Sequence, residues 1–402
     1  MQVFLNSTCY IRLEHVVLAG MQQPGATAFT WGFGKYGQLG NRGNTTAELP
    51  QPLNVKNTVI LDIYCGGHFT ACLVEHVTSK EHRVLACGCG KYGRTGLGSE
   101  DDCSTMKQLA LPKDVSQISC GHWHTCCISS GDVYCWGYNK THCVVAEGLP
   151  PMVLSPVQLS FAPLKFRLVS CGYNFTYAVA ENGECYSWGA GKYGVLGNGS
   201  EQDNTKPVPV PTINDVKHVS CGYCHVAIVT SAGELYTLGK GQDGALGHGS
   251  DLTNKLVPTK VANVQEKEIS ETSCSQGEHH GHTLVCSTDG TVLSCGDGYK
   301  GKLGLGDQNS RHQFTALDQQ YFFHQQVTQV SAGGIHSSAV TEGGLVFTWG
   351  CGSDGRLGHP ESSGHRYLFR SDIPKLVEGI PKHLKVNKVS CSYYHTAVLC
   401  HT

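Results

Sequence analysis

A two-part motif that returns about every 50 residues constrains this chain more than any other feature. The first part opens on Cys65 in "CGGHFT", Cys120 in "CGHWHT", Cys171 in "CGYNFT" and Cys221 in "CGYCHVA". Further copies open on Cys274 ("CSQGEHHGHT"), Ala332 ("AGGIHS") and Cys391 ("CSYYHT"), so successive openings lie 55, 51, 50, 53, 58 and 59 residues apart. Four positions after the opening stands His124, His225, His336 or His395; Phe69 and Phe175 replace it twice. In the Cys274 copy an insertion moves the histidine to His282.

The second part is a "WG" strand followed by a glycine loop. It carries Trp31 in "TWGFGKYGQLG", Trp188 in "SWGAGKYGVLGNG" and Trp349 in "TWGCGSDGRLGHP". Cys87, Leu238 and Cys295 take the tryptophan place in three copies, and the copy at Trp136 starts normally before its glycine pattern fails. Between the two parts lie Asn182-Gly183, Asp289-Gly290 and Gly343-Gly344, dipeptides favoured in two-residue hairpin turns. Tyr186 and Trp188 alternate with Ser187, as a strand with two different faces requires. A unit of this length and pattern predicts a four-stranded propeller blade. The first "WG" motif lacks an opening before it and the last opening lacks a "WG" after it. Joining them predicts an all-β, seven-bladed propeller closed by a composite blade from both chain ends, which removes free sheet edges. Residues 1–27 read as an N-terminal extension outside the repeat and 28–402 as the propeller.

Composition narrows the function. Charged residues are 15% and the formal net charge is −2, without the basic excess of a nucleic-acid binder, so direct nucleic-acid binding is not expected. No apolar run reaches the ~18 residues of a membrane span, so no insertion is expected. The start, "MQVFLNSTCYIRLEHVVLAG", lacks a positively charged segment and an unbroken apolar run, so the 21 cysteines are expected to remain thiols in a reducing compartment. The cytoplasm is the expected location, with the nucleus as an alternative, and the chain is expected to be monomeric.

Several motifs mimic other chemistries. Cys221, Cys224 and His225 spell the C-x-x-C-H of c-type haem attachment. Cys221 and His225 stand in repeat columns, however, and Cys224 stands where other copies have Trp123, Asn174, Ile335 and Tyr394. The repeat explains the residues better, and no cofactor is expected. Gly32, Gly34 and Gly37 match a dinucleotide fingerprint, yet a polar loop follows instead of a helix. Paired C-x2-C knuckles are absent, so metal is not expected; "EHHGH" (278–282) is read as a solvated insertion. No catalytic triad is legible, and no covalent chemistry is expected. The structural columns are therefore Cys65, Cys120, Cys171, Cys221 and Cys391, His124, His225, His336 and His395, and Trp31, Trp136, Trp188 and Trp349.

With both motif parts in phase over residues 28–398, the chain resembles the regulator of chromosome condensation repeat family. That resemblance implies a seven-bladed propeller and a protein partner. In the family's exchange factor for the Ran GTPase, the blade equivalent to the one holding Trp136 loses its glycines and projects a wedge into the GTPase. Residues 140–159, "KTHCVVAEGLPPMVLSPVQL", depart from the repeat at that place. The resemblance implies partner-binding candidates Lys140, His142, Val144, Glu147, Pro151 and Met152, and a small GTPase as partner. Asn174 stands where the exchange factor has an acidic residue. The family's plant ultraviolet receptor needs clustered tryptophans; only "GHWHT" at Trp123 approaches that, so photoreception is not expected. The competing expectation is a non-catalytic scaffold in ubiquitin-pathway, ciliary or cytoskeletal assemblies.

Overall fold

The computed structural model describes residues 27–144, 148–277, 280–362 and 369–402. Seven four-stranded antiparallel sheets form the blades. Blade 1 spans residues 58–108, blade 2 115–158, blade 3 166–209, blade 4 216–260, blade 5 269–316 and blade 6 327–376. Blade 7 is composite: Lys385–Cys391 and His395–His401 supply its two inner strands, and Thr27–Gly32 and Ala47–Leu53 its two outer ones. Phe29 pairs with Val398 and Trp31 with Thr396, which closes the blade. Inner strands touch in order around the axis, and Lys385–Cys391 meets Thr58–Cys65 to complete the ring.

The motif residues hold neighbouring blades together. Trp31, Trp136, Trp188 and Trp349 are buried, and their indole N–H groups donate to the carbonyls of Arg356, Arg94, Cys143 and Lys302 in the preceding blade. Where cysteine replaces tryptophan, a thiol makes the same link: Cys87 to Gln38 and Cys295 to Ala245. Leu238 has no donor, and there the Tyr177 hydroxyl takes the equivalent Val195 carbonyl at 2.7 Å.

The histidine column forms a second latch. His124 Nε2 lies 2.8 Å from Thr176 Oγ1, and His225, His282, His336 and His395 meet Thr283, Ser337, Thr396 and Thr70 at 2.8–3.0 Å. Each partner hydroxyl donates its own proton to the carbonyl of a preceding glycine loop. Its oxygen therefore accepts from Nε2–H, which selects that neutral tautomer. Burial disfavours the charged ring, holding His124 and His395 at about 3 and His225 at about 4, and His282 and His336 well below the ordinary value. Phe175 has lost the histidine, and its neighbour at the partner position is the apolar Val226, so no polar atom is stranded.

A central channel of about 420 Å³ runs inside the inner strands. Serines one residue before the opening column seal its wall. Ser119 accepts from the Cys171 N–H, Ser170 from Cys221, Ser220 from Cys274, Ser273 from Ala332, Ser331 from Cys391 and Ser390 from Cys65. A second ring adds Gln117 to Val169, Gln329 to Val389 and Glu271 to Val330. Lys388 pairs with Asp62 across the blade 7–blade 1 seam. Burial pushes the Glu271 carboxyl up to about 8.

One expectation is corrected. The cysteines are not all thiols, because Cys126 and Cys135 form a disulfide. They are directly opposed on adjacent strands of blade 2, and that register brings their sulfurs together. The other described cysteines are free and buried. No helix among the described residues is long and apolar enough to cross a membrane.

Candidate functional site

Antiparallel order puts the loop after each blade's inner strand and the loop after its third strand at the same end of the ring. Both motif parts therefore meet on one face, and the hairpins such as Asn182-Gly183 lie on the other. The glycine loops of this face need backbone that other residues disfavour. Gly32 has φ +108°, and a Cβ on Gly34 would lie 1.9 Å from the Thr45 carbonyl oxygen.

The motif face carries a continuous aromatic network. Tyr92 contacts Trp123 and Tyr138, each with ring centroids 5.3 Å apart. Trp123 contacts His122 at 4.4 Å, His122 contacts Tyr173 at 5.1 Å, and Tyr173 contacts Tyr223 at 4.1 Å. The four residues Tyr92, Trp123, Tyr138 and Tyr173 are half-buried, so each presents a wall and an open edge. The Arg94 guanidinium lies 4.4 Å from the Trp123 ring and fixes it from below. A second cluster joins Phe33, Tyr36, His68 and Tyr394, with His68 stacked on Tyr394 at 4.3 Å. At the channel mouth the Gln276 amide donates to the carbonyls of Cys120 and Cys171, so the inserted loop after Cys274 reaches across the axis.

The departing loop of blade 2 rises beside Trp123 and Tyr138. Its base is fixed. The Asn139 N–H donates to the Pro151 carbonyl at 2.8 Å, and Asn139 Oδ1 accepts from Val144 N–H at 3.0 Å. The Cys143 carbonyl takes both Thr176 and Trp188 from blade 3, so Cys143 replaces the residue before Leu-Gly in a regular loop. Lys140, His142, Gly148, Pro150 and Pro151 are exposed above this base.

The sequence candidates divide accordingly. Lys140, His142 and Pro151 stand on the face. Val144 is fully buried in the core between blades and does not present its side chain to a partner. Its apolar side chain fills the place of the missing leucine. Met152 opens the outer strand of blade 2 opposite Tyr138 and is half-buried. Asn174 is half-buried beside Tyr173, and its Oδ1 has no hydrogen-bond partner among the described residues. Glu147 lies outside the described residues, as do Glu278 and His279 of the inserted loop. His280 is exposed and pairs with Asp297, while His282 is a buried latch. The aromatic network was absent from the sequence candidates. Its signal was the aromatic residues of the opening loops, Trp123, Tyr173, Tyr223 and Tyr394, beside Tyr36 and Tyr92 of the glycine loops, which sequence reading did not join into one surface.

Comparison with known proteins agrees with this architecture. The ultraviolet-B receptor UVR8 of Arabidopsis thaliana is 31% identical over 357 residues, covering 87% of this chain and 77% of the receptor. The E3 ubiquitin-protein ligase HERC2 of Homo sapiens is 28% identical over 96% of this chain, which spans 7% of the ligase. Human WBSCR16 superposes with a TM-score of 0.82 at 21% identity, covering 94% of this chain and 99% of that one. Prp20p of Saccharomyces cerevisiae gives 0.79 at 20% identity over 94% and 92%. The RCC1-like domain description matches residues 27–398, from the first strand of the composite blade to its last, and the chain belongs to that family.

Proposed function

We propose that this propeller is a protein-docking platform whose partner sits on the motif face, over Tyr92, Trp123, Tyr138 and Tyr173 and against the loop 139–151. The half-exposed aromatic network beside the one glycine loop that has lost its pattern supports this reading most. Pre-positioned aromatics give large contact area at low entropic cost and are enriched among residues that dominate binding energy. A small GTPase is the partner class we favour. The solved structure of Prp20p is described with its binding properties to Gsp1p and histones, and its fold is the same. The base of loop 139–151 is held by Asn139 and Cys143, which anchors the exposed Lys140, His142, Pro150 and Pro151 beside the aromatic network. Acting on a GTPase, such a segment stabilises the nucleotide-free form and speeds nucleotide release without covalent chemistry. The coupling is reciprocal, so nucleotide weakens the complex by the same factor.

The burial of Val144 and the neutral Asn174 favour a second reading, a scaffold that docks a protein without changing nucleotide release. The experiment loads a panel of purified small GTPases with fluorescent GDP and follows release after adding the full chain. Acceleration that disappears when residues 145–150 are replaced by a Gly-Ser linker supports exchange. Partner binding without acceleration of release supports the scaffold. Acceleration unchanged by the replacement overturns the role given to this loop.

A further inference from the structure

Blade 2 contains a cluster that no other blade repeats among the described residues. At the position where Cys126 faces Cys135, the other blades pair Ala71 with Ala86, Tyr177 with Ser187, Ala227 with Thr237, Leu284 with Ser294, Ser338 with Thr348 and Thr30 with Ala397. In five of those blades the third-strand hydroxyl donates to its own loop, as Ser187 does to Leu196 and Thr348 to Leu357. Cys135 stands in that hydroxyl column. The opening cysteine of the next blade, Cys171, lies on the same side. An imidazole nitrogen of His124 and the sulfurs of Cys126 and Cys171 all lie within 4.8 Å of one another, fully buried.

His124 can serve as a ligand. Its Nε2 is held by Thr176, and its Nδ1, like that of the latch histidines His225, His282 and His336, has no hydrogen-bond partner among the described residues. A second-shell bond that fixes one ring nitrogen and leaves the other's lone pair free is the usual arrangement of a metal-binding histidine. Tetrahedral zinc spaces its ligand atoms about 3.5–4 Å apart, given Zn–S near 2.3 Å and Zn–N near 2.0 Å. The three atoms, within 4.8 Å of one another, lie somewhat wider than that spacing, and Cys135, outside that group and bonded to Cys126, turns toward it once reduced.

We propose that, once the Cys126–Cys135 bond is reduced, His124, Cys126, Cys135 and Cys171 form a closed Cys3His site for a thiophilic d10 cation, Zn2+ in the first instance. Reduction by a phosphine breaks the Sγ–Sγ bond, yields two thiols and converts the phosphine to its oxide with the oxygen of water. Zn2+ then displaces three thiol protons to solvent while His124 ligates neutral. The site ties blade 2 to blade 3 and is independent of partner docking on the face above.

The test uses the full chain, reduced with a phosphine, dialysed against Zn2+ and assayed for bound metal by mass spectrometry. Co2+ uptake is followed in parallel by its thiolate charge-transfer absorption. About one metal per chain is expected when reduced and near zero after reoxidation. Cys171→Ala and Cys126→Ala should each lower affinity at least 10-fold. Both keep a residue the repeat already uses, as at Ala332 and at Ala71 and Ala227. Cys127→Ala, outside the cluster, should bind as the parent does. A folded, reduced parent that takes up neither metal overturns the site. So does unchanged uptake by folded Cys171→Ala and Cys126→Ala.

Discussion

At the residue scale, the latch histidines show what a repeat column is for. Each joins two blades through a hydroxyl that is itself committed to a carbonyl, so removing the ring leaves that hydroxyl oxygen without its donor. His225→Phe should therefore cost about 1–3 kcal/mol. Adding Thr283→Val should cost less than the sum of the single changes, because Phe175 and Val226 already form that apolar combination. Urea unfolding of both single variants and the double variant measures the coupling. The same rings set the acid limit. The folded histidines stay neutral to about 3–4, while unfolded histidine protonates near 6.5. Their contribution is thus full above about pH 6.5 and is lost as pH falls, by up to about 1.4 kcal/mol per pH unit for each ring. Glu271 runs the other way. Its raised carboxyl favours the folded chain at low pH, and that preference is lost as pH rises through about 8. Glu271→Gln, which copies Gln117 and Gln329, should raise the urea midpoint at pH 8 and change it little at pH 5. The histidine column was legible from spacing alone. Its hydrogen-bond partners were not, since they lie 52–60 residues away in the next blade and 325 at the seam.

At the element scale, the loop 139–151 is where expectation and structure differ most. Its loss of glycines was plain in the sequence. That Cys143 and Val144 turn inward was not, because only the packing of blade 3 against blade 2 shows that some residue must offer a carbonyl to Trp188 and fill the leucine place. Cys143 and Val144 meet those needs, and the exposed residues Lys140, His142, Gly148, Pro150 and Pro151 flank them. Replacing residues 145–150 should lower the unfolding free energy by about 1 kcal/mol or less, since of the described residues among them only Leu149 packs against the core. Val144→Asp should unfold the blade 2–blade 3 contact, by burying an unpaired charge. Circular dichroism during urea titration separates the two outcomes. The Cys126–Cys135 disulfide was missed for a related reason: compartment reasoning treats cysteines by count, whereas register places these two opposite each other.

At the scale of the molecule, the repeat count, the composite seam and the blade order were all legible, because seven phased motif pairs leave little topological choice. The faces were not, since both loop families looked like scaffold until the antiparallel order set them side by side. Closure makes the seam cooperative: Lys385–His401 supplies two strands of blade 7, the serine Ser390 and the Lys388–Asp62 pair. Deleting residues 385–402 should lower the melting temperature of the whole ring in a single transition, read by calorimetry, rather than release a tail from an otherwise stable core.

The claim that the motif face docks the partner has the most direct test. A partner isolated with the full chain and then purified is titrated, by calorimetry, against Trp123→Ala/Tyr173→Ala and against Phe323→Ala, whose exposed ring lies on the opposite face. The account predicts affinity at least 10-fold weaker for the first variant and unchanged for the second. Unchanged binding by the folded Trp123→Ala/Tyr173→Ala variant, with loss in Phe323→Ala, would contradict it.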